Sequence, residues 1–436
     1  MKEVPFDHAA IEEIRSNLSI DIPSASIREM NALVNEIEKK FDTRFVRMEF
    51  GIPGLPVSPI AAEAETKLLA QGTANTYAPF QGTQELKQAG SDFIKAFMDL
   101  DIPPGCVVPT CGAMQGCFVS LAVAGFHKPG KDTILFLDPG FPVNKQQTRL
   151  LGLKSVNLDL KEFRGQALIN KVDQMCAEHG VGGCLWSSPN NPAWVIFTEE
   201  ELKGLAKVFD KHEVFAVEDF AYFGMDFRQD YSKPYQPPYQ PSIARYTNRV
   251  FVVISSSKLF SYAGQRCGLV AMPPAFAEEK WPNLAHRFYK EQVLSAFIQG
   301  GVYCTTASVP QGPQAGLAAL LRATVDGSYS PWGSVKEYQR RATFMKKAFT
   351  DNGFHLVYDE DLGEPLADGF YFTVGYGDMT SGQLSEAIVH YGVSAITLDV
   401  TGSKFQGLRA CVSLTGSDQF EDLEYRLGRF HEDHPL

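Results

Sequence analysis

The chain has 436 residues, 44% hydrophobic, 12% aromatic and 21% charged, with a net charge of -11. Those values fit a globular protein of two or three folding units, or one large domain with a smaller one packed on it. The acid excess excludes nucleic acid as a partner, because phosphate backbones demand clustered Lys and Arg.

No apolar stretch reaches the roughly 18 residues that cross a bilayer, so no membrane association is expected. Met1-Lys2-Glu3-Val4-Pro5 lacks the apolar core of a signal peptide. The eight cysteines form no C-x-x-C pair, and the nine histidines show no ligand spacing, so no metal site is expected. Several cysteines, among them Cys117 and Cys184, lie inside apolar segments. Free thiols in a reducing compartment follow, and a cytoplasmic location is expected.

In chain order, a first helix is predicted near residues 25–40, with Ile27, Met30, Leu33, Val34 and Ile37 at helical spacing. From about 60 to 320 strand and helix alternate. Seven apolar, β-branched runs read as strands: Val107–Pro109, Thr133–Leu137, Ser155–Leu158, Gly183–Trp186, Phe215–Val217, Val250–Ser255 and Gly268–Ala271. Thr198 and Glu201 make a capping box ahead of a helix with Leu202, Leu205, Ala206 and Phe209 on one face. Tyr231–Pro241 is too proline-rich for regular structure and reads as a surface loop, reaching over the site or toward a neighbouring subunit. After Gly333 helices mix with short strands, such as Gly369–Thr373 and Arg409–Leu414. The last helix aligns Phe420, Leu423, Leu427 and Phe430.

The expected fold is α/β. A three-layer αβα large domain with a mainly parallel sheet of about seven strands spans 56–325. A smaller α+β domain comes from the arm 1–55 and the C-terminal part 326–436.

The chemistry lies at the ends of those strands, where α/β sheets bind ligands. Ser255-Ser256-Ser257-Lys258 follows one strand, and Arg266 stands eight residues after Lys258. A lysine condenses with an aldehyde, while hydroxyls and a guanidinium hold a phosphate dianion, so pyridoxal phosphate suits this string. Such a cofactor also needs an anion near its ring nitrogen, a donor for its phenolic oxygen, a phosphate cradle and an aromatic lid. Asp219 and Tyr222, in E-D-F-A-Y, offer the first two. Taken alone, a D-x-x-Y is more often a capping Asp and a core Tyr. Asn191, with prolines on either side, offers a side-chain amide as a second donor for the phenolic oxygen. Thr110-Cys111-Gly112-Ala113-Met114-Gln115 opens an apolar helix, and the glycine at that turn lets its first N–H groups face a phosphate. Phe141 is the candidate for stacking on the ring.

Gly125–Asp132 nearly spells a nucleotide-binding loop. It carries Asp where a magnesium-binding hydroxyl is needed, and it precedes a strand, so it reads as a turn.

Together these residues resemble the fold-type I pyridoxal-phosphate enzymes, specifically the class I/II aminotransferases related to aspartate aminotransferase, from about Gly51 to the last helix. The resemblance implies Lys258 as Schiff-base lysine and proton shuttle. It implies Ser255, Ser257, Arg266 and the Ala113 and Met114 amides around the phosphate, with Gly112 at the turn. Asp219 is implied at the pyridine nitrogen, and Asn191 and Tyr222 at the phenolic oxygen. Tyr77 is implied to reach a phosphate across a homodimer interface, Arg409 to clamp the substrate α-carboxylate, and Gly51 to close over it.

Two departures stand out. Trp194 replaces a small residue near the substrate mouth, and no arginine occurs between Arg287 and Arg322, where dicarboxylate-specific members carry a second clamp. The expected reaction is transamination between a neutral or aromatic L-amino acid and a 2-oxo acid. Elimination by a carbon–sulfur lyase of the same fold, or a cofactor-free binding protein, are the alternatives.

Overall fold

The apolar runs form one seven-stranded sheet in a computed structural model that describes residues 3–436. Numbered in chain order, its strands are β1 (Val107–Thr110), β2 (Thr133–Asp138), β3 (Lys154–Asp159), β4 (Val181–Ser187), β5 (Phe215–Phe220), β6 (Val250–Ser255) and β7 (Gly268–Ala271). The spatial order is β1-β7-β6-β5-β4-β2-β3. The pairs β3/β2, β2/β4, β4/β5 and β5/β6 are parallel, whereas β7 runs antiparallel to both β6 and β1. The fold is a three-layer α/β architecture. Strands β1, β2, β5, β6 and β7 are buried along their whole length, as both-face burial of a mainly parallel sheet requires.

The helix Gly112–Phe126 is nearly all apolar or small and lies pressed against this sheet. Gly116 permits that approach, since a Cβ there would come 2.7 Å from Val270 Cγ2. The capping box before helix Glu199–His212 is present: Thr198 Oγ1 accepts from the Glu201 N–H at 3.2 Å, and Glu201 Oε2 accepts from the Thr198 N–H at 3.0 Å. Glu201 is fully buried and paired with Arg164, which keeps its charge compensated.

The chain clusters into two compact units. The larger contains residues 55–189 and 196–334, and the smaller contains residues 1–54, 190–195 and 335–436. Residues 326–334 therefore group with the large sheet, and Asn190–Val195 with the chain termini.

In the smaller unit, Ile396–Thr397, Leu408–Cys411, Tyr371–Tyr376 and Phe354–Leu356 form an antiparallel sheet in that order. The strands expected at Gly369–Thr373 and Arg409–Leu414 are thus displaced by one to three residues. Val46–Arg47 pairs in parallel with Val393–Ser394. The last helix, Phe420–Asp433, buries Phe420, Leu423, Leu427 and Phe430 as its spacing predicts.

One helix was not foreseen. His8–Leu18 precedes the expected one, which runs Ile27–Phe41 and is the second in the chain. His8–Leu18 buries only Ile11, so it carries no apolar stripe to read.

Tyr231–Pro241 contains no helix or strand. It is tied within its own unit, the Tyr235 and Gln240 N–H groups donating to the carbonyls of Ala96 and Phe97 at 2.7 and 2.9 Å. Gly125–Asp132 ends a helix and turns at Gly130, with φ +78°, before β2. No helix among the described residues is long and apolar enough to cross a membrane.

Candidate functional site

The antiparallel β7 gathers the candidates of the larger unit. Gly268, its first residue, is opposite Thr110 at the end of β1 and Ser255 at the end of β6. The turns that follow β1 and β6, and the residue pair that precedes β7, therefore meet at one end of the sheet. Arg266 lies against Gly112 there. A Cβ on Gly112 would sit 2.6 Å from Arg266 Nη2, and its φ of +70° belongs to glycine. Arg266 itself is exposed, with Nη1 donating to the Ala263 carbonyl at 2.9 Å.

Helix Gly112–Phe126 starts with no side-chain cap. Its first-turn N–H groups, including those of Ala113 and the exposed Met114, have no partner within the helix. The Cys111 N–H is already taken by Gln115 Oε1 at 2.7 Å, and Gln115 Nε2 donates to Thr305 and Thr306 Oγ1 at 2.6 and 2.9 Å. Sequence reading includes Gln115 in the string after β1 but gives it no role. Its signal was an amide four residues after the uncapped Cys111, one helical turn on.

Ser255 and Ser257 are buried, and the Ser257 N–H donates to Ser255 Oγ at 3.2 Å, which closes the turn that carries Lys258. On the adjacent strand Asp219 is opposite Val253. Asp219 is buried, and among the described residues its Oδ1 has no hydrogen-bond partner. Burial raises its carboxyl to about 7, against the opposing charge of Lys258. An acceptor so placed fits a protonated ring nitrogen. Tyr222, three residues on, is buried in the turn after β5.

Phe141 caps helix Pro142–Leu150, just past the end of β2. Beside it, Asp138 is buried and paired with Lys145 Nζ at 2.6 Å, and burial raises its carboxyl to about 7. Tyr77 lies on the surface at 93% exposure, following the short 3-10 turn Thr73–Asn75.

Three candidates belong to the smaller unit: Gly51, Asn191 and Arg409. Arg409 is fully buried on its strand, with Nη2 donating to the Glu49 carbonyl at 2.8 Å and Nε unpartnered. Its guanidinium carbon lies 4.8 Å from the centre of the Tyr371 ring. Gly51 sits against the same tyrosine: a Cβ there would fall 1.9 Å from Tyr371 Oη. Asn191 is buried in the Asn190–Val195 segment. Trp194, read from the sequence as the replacement of a small residue near the substrate mouth, is fully buried, packed on Gly369 and edge-on to Tyr371. Tyr371 was missed by sequence reading, since one tyrosine in an apolar strand reads as core.

The chain is similar to a Methanocaldococcus jannaschii protein described as a probable aspartate aminotransferase, 23% identical over 73% of this chain and 77% of that one. It is 28% identical to an Aquifex aeolicus protein described as a probable aspartate/prephenate aminotransferase, over 52% of this chain and 56% of that one. Its fold matches Thermus thermophilus aspartate aminotransferase solved with maleate, with a TM-score of 0.76 at 18% identity, covering 95% of this chain and 98% of the other. The family described as aminotransferase class I and II matches from residue 47 to residue 418, and to that pyridoxal-phosphate-dependent family of enzymes this chain belongs.

Proposed function

We propose that this aminotransferase moves an amino group between a neutral or aromatic L-amino acid and a 2-oxo acid, with Lys258 as covalent anchor and proton shuttle. The observation that supports it best is the buried, partnerless Asp219 Oδ1 on the strand beside the one that delivers Lys258. Pyridoxal phosphate, when bound, supplies an aldehyde that captures amines and a protonated ring that takes up electron density from the substrate Cα.

The chain's own residues would divide the remaining work. Arg266, Ser255 and Ser257, with the Gly112, Ala113 and Met114 amides, would hold the phosphate, as a guanidinium and a helix N-terminus suit a dianion. Asp219 would hold the proton on the ring nitrogen, and Tyr222 and Asn191 would donate to the phenolic oxygen. Phe141 would cover the ring face. Lys258 Nζ would take the proton from the substrate Cα and, as general acid, deliver it to the cofactor's C4′. Arg409, with Gly51 closing over it, would hold the α-carboxylate and so orient the Cα–H bond.

The absence of any arginine from residue 288 to residue 321 supports a neutral or aromatic donor. The names of the relatives favour a second reading, with aspartate as donor. These relatives are described as aminotransferases, so elimination is not favoured. With 2-oxoglutarate as acceptor, kcat/KM for phenylalanine, methionine and leucine is expected to exceed that for aspartate by about tenfold or more, the effect of some 1.4 kcal/mol. Aspartate proving the better donor would overturn the preference. Pyruvate or ammonia released without any acceptor would turn the reading to elimination.

The exposure of Tyr77 supports a homodimer in which it serves the neighbouring site. Phe80 and Tyr303, both exposed, pack edge to face at 5.7 Å in the same unit. Sedimentation of the active enzyme is expected to give a dimer. Full activity in a purely monomeric sample would remove Tyr77 from this account.

A further inference from the structure

The strand register of the smaller unit sets Thr373 opposite Arg409 and Tyr371 opposite Cys411. Tyr371 and Arg409 are therefore diagonal neighbours on one face, within reach of long side chains. The guanidinium lies over the phenol ring, 4.8 Å from its centre. Among the described residues, only Nη2 is tied to the backbone, through Glu49, while the buried Nε has no partner.

The ring is itself fixed from two sides. Gly51 leaves room for its hydroxyl, since a Cβ there would fall 1.9 Å from Oη. Trp194 stands edge-on at 6.3 Å and 66°, and is fully buried. Trp194 in turn fits only because residue 369 is glycine: a Cβ there would lie 2.1 Å from its Cε2. A buried guanidinium with free N–H groups can turn in several ways, and a flat ring beneath it selects one plane.

We propose that Tyr371 is a positioning residue for Arg409, its ring setting the plane in which the guanidinium takes the substrate carboxylate, with Trp194 as brace. The inference rests on Arg409 being the carboxylate clamp. Trp194 thereby acts on substrate binding through Tyr371.

The test uses the holoenzyme and two probes. 2-Aminoisobutyrate carries a carboxylate and has no Cα–H, so Lys258 can take no proton from it; isopropylamine has the same carbon frame without the carboxylate but keeps a Cα–H, so its binding is read from the initial amplitude, before turnover. Binding is followed by the change in the cofactor's visible absorbance. Tyr371→Leu is expected to raise the Kd of 2-aminoisobutyrate by about ten- to thirtyfold, the range of a desolvated cation–π contact, and to leave isopropylamine unchanged. Tyr371→Phe keeps the ring and is expected to bind both probes like the wild type. Should Tyr371→Leu fail to fold, Tyr371→Met fills the space with an unbranched chain and carries the same expectation.

Arg409→Leu separates the two ideas. If it weakens 2-aminoisobutyrate and the Tyr371 variants do not, the positioning role is overturned and the clamp stands. If Arg409→Leu changes nothing, the clamp itself is wrong. Equal weakening of both probes by Tyr371→Leu would also overturn the proposal, because it would report general damage to the site.

Discussion

Lys258→Ala is expected to lose transamination by at least the 10²- to 10⁴-fold that a positioned proton carrier contributes. It is also expected to lose covalent retention of the cofactor. Borohydride treatment followed by peptide mapping should place the reduced adduct on Lys258 in the wild type and nowhere in the variant. Lys258 is half-buried in the turn after β6 and its charge offsets that of buried Asp219, so the cofactor-free variant should also melt lower than the wild type above about pH 7, where Asp219 is ionised. An adduct found on another lysine, or a variant with activity near that of the wild type, would place the anchor elsewhere.

Asp219→Asn carries the second large effect, and its sign differs between the cofactor-free and loaded protein. In the cofactor-free chain, burial holds the Asp219 carboxyl at about 7 instead of its ordinary 3.8. A folded value above the unfolded one gives stability that is complete below about pH 4 and lost as pH rises through about 7. Cofactor-free wild type is therefore expected to melt lower at pH 8 than at pH 5, and Asp219→Asn to lose less over that interval. At pH 8 the variant should melt higher than the wild type. Asp138 and Glu218, raised by burial to about 7 and about 8, pull in the same direction but remain in both proteins, so they cancel in the comparison.

Loaded with pyridoxal phosphate, the order should reverse, because the asparagine has no charge to offer a protonated ring nitrogen. Turnover should fall by about 10² to 10³, as when a preorganised electrostatic partner is removed. Melting curves of both proteins at pH 5 and 8, with and without cofactor, check the whole pattern. A cofactor-free variant that melts below the wild type at pH 8 would show that Asp219 is not a strained carboxylate.

Much of this was legible in the sequence because the large sheet writes its strands as bounded apolar runs. All seven were readable, along with the Thr198–Glu201 cap and the face of the last helix. The direction of β7 was not, since an apolar run of Gly268–Ala271 looks the same in either orientation. Helix His8–Leu18 escaped because one buried isoleucine gives no period. The strings around Lys258, Asp219 and Gly112 could be picked out because reactive groups stood at strand ends, where a polar residue interrupts an apolar run. Tyr371 and Gln115 could not. Their settings depend on partners far along the chain, Arg409 for one and Thr305 and Thr306 for the other. The burial of Trp194 depends likewise on Gly369, a residue 175 positions away by number.

The reversal of β7 has a consequence for what the chain tolerates. Because Ser255 and Gly268 face each other across the ladder, residues 256–267 form a closed excursion whose two stems are pinned to each other. The separation between the amine at 258 and the guanidinium at 266 is then a gauge length, set locally and independent of how the more distant parts of the polypeptide are arranged. One residue added inside it would have to bulge outward, or else slide β7 by a single step and turn its inward side chains to the opposite face. Lineages of this protein should accordingly vary in length at Tyr231–Pro241, and hold 256–267 to a constant count.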